Sequence, residues 1–208
     1  MTAIVDYGVG NLFSLVSSFR KIGEEVVVTA DENVIRQADR NLLPGVGAFG
    51  DAAAKLRAAG LDRVLVEEAK RGKPLLGICL GMQLLFEKTY EYGEYDGLCL
   101  LSGEIRPIAE RAGDRKIPHM GWNALDFCGK PHPLFRYIRN GEYVYFVHSY
   151  AAENCADCVI ASSEYGFPVT AAAANQNVMG CQFHPEKSGD TGLRILKAFC
   201  EMKEGALC

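Results

Sequence analysis

A chain of 208 residues, 49% hydrophobic and 23% charged, is long enough to bury a sizeable core. Its formal charge of −4 supplies no basic face to neutralise a phosphate backbone, which argues against nucleic acid as a partner. It holds no apolar run of about 18 residues and opens "MTAIVDYG", straight into a strand with no signal-peptide pattern, so a cytoplasmic protein without a membrane span is expected.

In chain order, "AIVDYG" reads as a strand, Leu12 to Ile22 as a helix, "EVVVTA" as a strand, Glu32 to Ala38 as a helix and "NLLPGVG" as a third strand. Helical patterns follow over Asp51 to Ala59 and Asp62 to Arg71. Then comes "PLLGIC", apolar throughout and suited to the centre of a sheet covered on both faces. A helix carrying Met82 to Tyr90 is expected after it. Beyond Gly97 the texture turns β-rich, with "GEIRPI", "WNALDF", "YVYFVHSY", "CVIASS" and a hairpin "PVTAAAANQNVMGCQF" turning at Asn175 to Asn177. The helix "TGLRILKAFCEM" closes the pattern. No repeat or composition break marks a second unit, so residues 1–208 are expected to form a single domain. The βαβ rhythm predicts an α/β fold: a three-layer, flavodoxin-like domain with a central, mostly parallel sheet and an antiparallel C-terminal extension.

Eight cysteines stand at 79, 99, 128, 155, 158, 181, 200 and 208. They are too scattered for a disulfide framework, and "CADC" at Cys155 to Cys158 lacks the second pair that a zinc site needs, so no metal is expected. Cys79 differs from the others. Gly-x-Cys-x-Gly between an apolar strand and a helix is the nucleophile-elbow pattern with cysteine for serine. There a strained turn would expose the thiol at the sheet's carboxyl edge, and a helix N-terminus would favour thiolate. Alone, the pattern fits a core cysteine as well.

A thiolate nucleophile needs a proton donor for its leaving group. Of His119, His132, His148 and His184, the stretch "CQFHPEKS" singles out His184. Glu186 lies two residues on, the spacing that puts both side chains on one side of extended chain, and Pro185 stiffens the link. The N–H of Leu80 is the expected first oxyanion donor, and "PGVG" at Pro44 to Gly47 can supply a second. "GVGNLF" from Gly8 imitates a dinucleotide fingerprint. Its third glycine position is Phe13, whose ring is expected to block the close approach of helix and strand, so dinucleotide binding is set aside. Cys181, at odd spacing from His184, is read as packing.

The stretches "IVDYGVGNLFSL", "LPGVGAFGDA", "GICLGMQLLFE", "IPHMGWN", "YFVHSY" and "GCQFHPEKSG" stand in the order of a known family. With them the chain resembles the class I, triad-type glutamine amidotransferases over nearly its whole length. Within these it is similar to the glutaminase subunits of imidazole glycerol phosphate synthase, from histidine biosynthesis. The resemblance implies a glutaminase without cofactor, in which Cys79 attacks the glutamine amide, His184 shuttles protons, Glu186 orients His184, and Val46 and Leu80 form the oxyanion hole. Carried over by position, glutamine recognition falls on Gly47, Gln83, Glu91, Ser149 and Tyr150. The resemblance further implies a heterodimer with a (β/α)8-barrel cyclase that receives the ammonia, with Asn11, Trp122, Tyr145 and Lys187 at the interface. It also implies an activity nearly silent until the cyclase binds its nucleotide, through a peptide flip at Gly45–Val46. Competing readings are the subunit of another amidotransferase such as anthranilate synthase, a thiol hydrolase or peptidase, and a non-catalytic flavodoxin-like binding module.

Overall fold

The computed structural model describes residues 1–203 and 205. Its first half alternates strand and helix: β1 (Thr2–Val5), α1 (Leu12–Lys21), β2 (Val26–Thr29), α2 (Glu32–Gln37), β3 (Arg40–Leu43), α3 (Phe49–Ala58), α4 (Leu61–Lys70), β4 (Leu75–Ile78) and α5 (Leu80–Gln83). The second half is mostly strand: β5 (Lys88–Thr89), β6 (Tyr95–Asp96), β7 (Glu104–Pro107), β8 (His119–Ala124), β9 (Asp126–Phe127) and β10 (Tyr143–His148). It continues with β11 (Tyr150–Glu153), β12 (Val159–Glu164), β13 (Pro168–Asn175), β14 (Val178–Cys181) and the closing helix α6 (Gly189–Cys200).

The main sheet runs β2-β1-β3-β4-β14-β13-β12-β9. Its pairs from β2 through β14 are parallel, and those from β14 through β9 are antiparallel. The antiparallel extension is thus the far side of one sheet. Two smaller sheets, β10-β8 and β11-β7-β5-β6, stand beside it.

Because successive strand residues point to opposite faces, neighbouring residues of each central strand join different cores. Val5, Leu43, Leu75 and Val178 pack with Phe49 and Leu56 of α3 and Leu61 and Leu65 of α4. Ile4, Leu42, Leu76 and Met179 pack with Leu15 and Phe19 of α1 and Ile195 and Phe199 of α6. These two faces make the three layers. β4 lies between β3 and β14, with every residue buried.

One expected element is absent. The helix over Met82 to Tyr90 stops at Gln83, and β5 occupies its second half. Leu84, Leu85 and Phe86 are all buried, which suits a segment covered on every side better than one face of a helix. Their carbonyls accept from Leu98, from Leu100 and Leu101, and from Cys99 respectively. Residues 98–101 therefore satisfy the groups that a continuing helix would have used. The run "WNALDF" also divides, between β8 and β9 of different sheets.

At the edge where β4 begins, Lys73 and Glu68 form a buried ion pair at 2.7 Å, their side chains 6% and 4% exposed. Lys73 Nζ also donates to the carbonyls of Ile35 and Arg36, and Glu68 accepts from Arg36 and Arg71. Removing one partner leaves a buried charge uncompensated, which costs about 3–5 kcal/mol. Glu68→Ala should therefore lower the unfolding free energy read from urea titration by that amount at unchanged m-value, and Glu68→Ala/Lys73→Met should recover much of it.

Candidate active site

At the carboxyl end of β4 the chain turns sharply at Cys79, which holds φ 54° and ψ −112°. A non-glycine residue in so sparsely populated a region costs about 1–3 kcal/mol. The surroundings hold it there. Cys79 N–H donates to the Cys181 carbonyl at 2.7 Å, and the Cys79 carbonyl accepts from Gln83 N–H at 3.1 Å. The turn also presses on the end of β3: a Cβ on Gly81 would lie 1.9 Å from the Leu43 carbonyl oxygen. The "PGVG" loop leaves β3 and lies directly on the turn, where a Cβ on Gly45 would meet Gly81 N at 2.5 Å. Buried Tyr7 ties this loop down by donating to the Pro44 carbonyl at 2.7 Å. Burial, with the neighbouring Cys79 adding to it, holds the Tyr7 phenol above its ordinary range.

β14 runs parallel to β4, so both end at the same edge. The chain continues through Gln182 and Phe183 to His184, whose N–H donates to the Tyr145 carbonyl at 2.9 Å. His184 Nδ1 lies 2.8 Å from Glu186 Oε1, the two side chains 3% and 2% exposed. A carboxylate accepts, so Nδ1 carries the proton and Nε2 is left for other chemistry. Among the described residues Glu186 Oε2 is buried without a hydrogen-bond partner. Burial acts to lower His184, but its interactions with the Cys79 sulfur and the Glu186 carboxylate outweigh that and lift it to about 9. Cys79 Sγ itself lies 3.9 Å from the Val147 carbonyl and 3.8 Å from Gln182 Nε2.

These groups open on a cavity of about 270 Å³ lined by Val46, Gly47, Cys79, Leu80, Gln83, Glu91, His184, Lys187 and the run Val147 to Tyr150. The triad residues Cys79 and His184 thus meet the residues expected for glutamine and for the oxyanion in one place, with Glu186 behind the imidazole. Gln83 is buried, donating from Nε2 to the Tyr150 carbonyl at 3.1 Å and to Gln182 Oε1 at 3.0 Å. Glu91 Oε2 accepts from Phe49 N–H at 2.6 Å, at the start of α3, and burial raises its pKa. Two groups escaped notice in the sequence, Gln182 and Tyr7. Gln182 had a visible signal: it is a polar residue two positions before His184, directly after the apolar strand β14.

Three expectations need correction. Glu186 stands in the 3-10 turn Pro185–Lys187 and not in extended chain, so the turn, and not strand alternation, sets it beside His184. α5 is four residues long, so the helix dipole counted on at Cys79 is small, and the polar groups beside the sulfur are the Gln182 amide and the His184 imidazole. Phe13 is 82% exposed, so its ring blocks no approach of α1 to the sheet. Asn11 serves locally as the N-cap of α1, its Oδ1 accepting from Ser14 N–H at 3.3 Å. Trp122 is 55% exposed and faces Tyr145 across the β8–β10 pair, their rings 6.1 Å apart. Lys187 Nζ lies 6.0 Å from the Tyr145 ring centroid, which joins the three beside the cavity mouth. Cys155, Cys158 and Cys181 are buried free thiols, and Cys208 lies outside the described residues. Among the described residues no group of three or more His, Cys, Asp or Glu side chains is placed to hold a metal ion.

Residues 3–202 match the family described as Glutamine amidotransferase class-I, and the chain belongs to that family. Two similar relatives are both named imidazole glycerol phosphate synthase subunit HisH. The one from Oceanobacillus iheyensis is 48% identical over 97% of this chain and 99% of its own. The one from Wolinella succinogenes is 49% identical over 97% of this chain and 100% of its own. A crystal structure of a glutamine amidotransferase superposes with a TM-score of 0.73 at 17% identity, covering 95% of this chain and 98% of the other, and so shares the fold.

The contact of Gly81 with β3 tests the geometry of the turn. Gly81→Ala forces a methyl against the Leu43 carbonyl oxygen, an overpacking that costs about 3 kcal/mol or more in the absence of backbone movement. It should lower the thermal midpoint and remove the selective reactivity of Cys79 toward a small alkylating agent such as iodoacetamide, read by peptide mass spectrometry.

Proposed function

We propose that this chain is the glutaminase subunit of an imidazole glycerol phosphate synthase, hydrolysing glutamine to glutamate and ammonia. The observation that carries the reading is the meeting of Cys79 and His184 at one cavity, with Glu186 hydrogen-bonded behind the imidazole, in a chain of this family. The relatives are named as a subunit of imidazole glycerol phosphate synthase, which supports a companion subunit, and their near-complete coverage of this chain disfavours a different acceptor enzyme.

Cys79 Sγ attacks the amide carbon, and the oxyanion is received by the N–H of Leu80 and a second from the Val46 loop. The raised pKa of His184 favours an imidazolium facing the sulfur, the form that protonates the departing nitrogen and releases ammonia. The product is a γ-glutamyl thioester. Acylation removes the sulfur's charge, one of the influences that hold the imidazole protonated, so His184 becomes a better base when water attacks the thioester. Glu186 keeps the ring oriented throughout. Gly47, Gln83, Glu91, Ser149 and Tyr150 frame the glutamine.

Ammonia passes to a (β/α)8-barrel cyclase subunit in a heterodimer, where it joins PRFAR and yields imidazole glycerol phosphate and AICAR. Asn11, Trp122, Tyr145 and Lys187 form the docking face, with exposed Met120 and Val46 beside them. The enzyme works in the cytoplasm. Among the described residues no helix is long and apolar enough to cross a membrane. A flip of the Gly45–Val46 peptide on partner binding completes the oxyanion hole.

Glutamate release should be slow for the chain alone, rise on the order of 100- to 1000-fold with the cyclase and its nucleotide, as for gaining one oxyanion donor, and vanish in Cys79→Ala. Full activity of the isolated chain, or none in any mixture, overturns the reading. Trp122→Ala should weaken cyclase binding in titration calorimetry.

The pH profile follows from His184. Its value lies above the ordinary one, so the imidazolium is present below about pH 9 and lost as pH rises through it. kcat/KM should fall on that alkaline limb. Glu186→Gln removes one of the two influences holding the proton, so the limb should move to lower pH, with a loss of roughly 100-fold or more in kcat.

A further inference from the structure

His148 lines the cavity without belonging to the triad, and a second histidine stands behind it. In the antiparallel register of β8 and β10, His148 is directly opposite His119. Both rings are buried, and His119 does not reach the cavity. Their nitrogens meet, His119 Nδ1 lying 3.0 Å from His148 Nε2. At the outer ends, His148 Nδ1 is 2.8 Å from the Tyr150 carbonyl oxygen and His119 Nε2 is 3.3 Å from Asn123 Nδ2.

The end groups set the direction of every proton in this chain. A carbonyl only accepts, so His148 carries hydrogen on Nδ1 and presents Nε2 as an acceptor. His119 must then donate from Nδ1 and accept at Nε2 from the Asn123 amide. Asn123 is fixed in that orientation, since Nδ2 also donates to the Glu164 carbonyl at 2.8 Å and Oδ1 accepts from Ala124 N–H at 2.9 Å. Adding a proton to either ring would set N–H against N–H. Burial agrees with this, pushing His119 down to about 4 and His148 down to about 3. His119 is also stacked on Phe146 and on Tyr165, with centroids 4.6 and 4.0 Å away, which resists turning of the ring.

The Tyr150 carbonyl is a junction, because it accepts from both His148 Nδ1 and Gln83 Nε2. Gln83 continues to Gln182, whose amide reaches Cys79 Sγ. We propose that Asn123, His119 and His148 form a one-way hydrogen-bond relay that holds the Ser149–Tyr150 wall of the glutamine site, His119 and His148 acting as positioning residues for substrate binding. The proposal rests on the reading of the cavity as a glutamine site.

Two measurements test it. Long-range 1H–15N correlation on the full-length wild-type chain near neutral pH should show both imidazoles neutral with hydrogen on Nδ1. An Nε2–H tautomer or an imidazolium at either position overturns the relay. In the complex with the cyclase, His119→Phe keeps an aromatic ring between Phe146 and Tyr165 but removes the donor to His148. The KM for glutamine should rise roughly 5- to 100-fold, the worth of one buried hydrogen bond, with kcat changed by less than about threefold. His119→Asn, which returns a donor near the Nδ1 position, should recover most of the loss. An unchanged KM in His119→Phe overturns the relay while the wild type remains active. A wild-type complex that releases no glutamate overturns the glutamine reading itself, and with it the substrate assigned to the relay, whatever the tautomers are.

Discussion

The strained backbone of Cys79 is the constraint around which the rest of the site is arranged. A residue at φ 54° and ψ −112° persists only where its neighbours leave no alternative. Here β14 takes its N–H, and the Gly81 backbone lies on the Leu43 carbonyl. Both contacts depend on the parallel register of β3, β4 and β14, so the three central strands jointly set the position of one sulfur atom. The same packing seats the "PGVG" loop, since Gly45 rests on Leu80 and Gly81 and Tyr7 holds Pro44. The Cys79 turn and the loop from Pro44 to Gly47 are therefore placed by one set of packing contacts.

Electrostatics divides two buried histidines of the same cavity in opposite directions. Burial disfavours the charged form of each. His184 faces a sulfur and a carboxylate and rises to about 9; His148 is lowered to about 3 chiefly by burial, which its hydrogen bond to the Tyr150 carbonyl opposes without overcoming. Both rings are buried, so the difference lies in the sulfur and carboxylate beside His184, which His148 lacks. Environments that push titratable groups apart in this way mark the division of acid–base roles in an active site.

Much of this was legible in the sequence because it is local. The elbow spacing around Cys79, the two-residue separation of His184 and Glu186 that a 3-10 turn closes, and the switch from helix–strand alternation to β-rich chain near Gly97 all depend on neighbours within a few residues. What escaped is long-range. Nothing near Met82 to Tyr90 reports that residues 98–101 will claim the carbonyls of Leu84 to Phe86, so a helix was expected where four residues form one. The donor role of Gln182 toward Cys79 crosses 103 positions, and that of Tyr7 toward Pro44 crosses 37. The exposure of Phe13 depends on which side of α1 meets the sheet, and the glycine pattern around it gave no hint of that side.

The site falls where the main sheet changes character. β14 is parallel to β4 and pairs with it directly, so its carboxyl end lies beside Cys79 at the same edge, whereas its other neighbour β13 runs the opposite way. It is therefore the strand that can deliver Gln182, His184 and Glu186 to that edge by simple continuation. The remaining wall, Val147 to Tyr150, spans the end of β10 and the start of β11, which belong to different small sheets. The cavity is thus a seam between three sheets. β10 is tied across it to the segment that carries His184, through His184 N–H to the Tyr145 carbonyl and Tyr145 N–H to Ser188 Oγ, so the Val147 to Tyr150 wall and the imidazole share one frame while β3 and β14 hold the strained turn at Cys79.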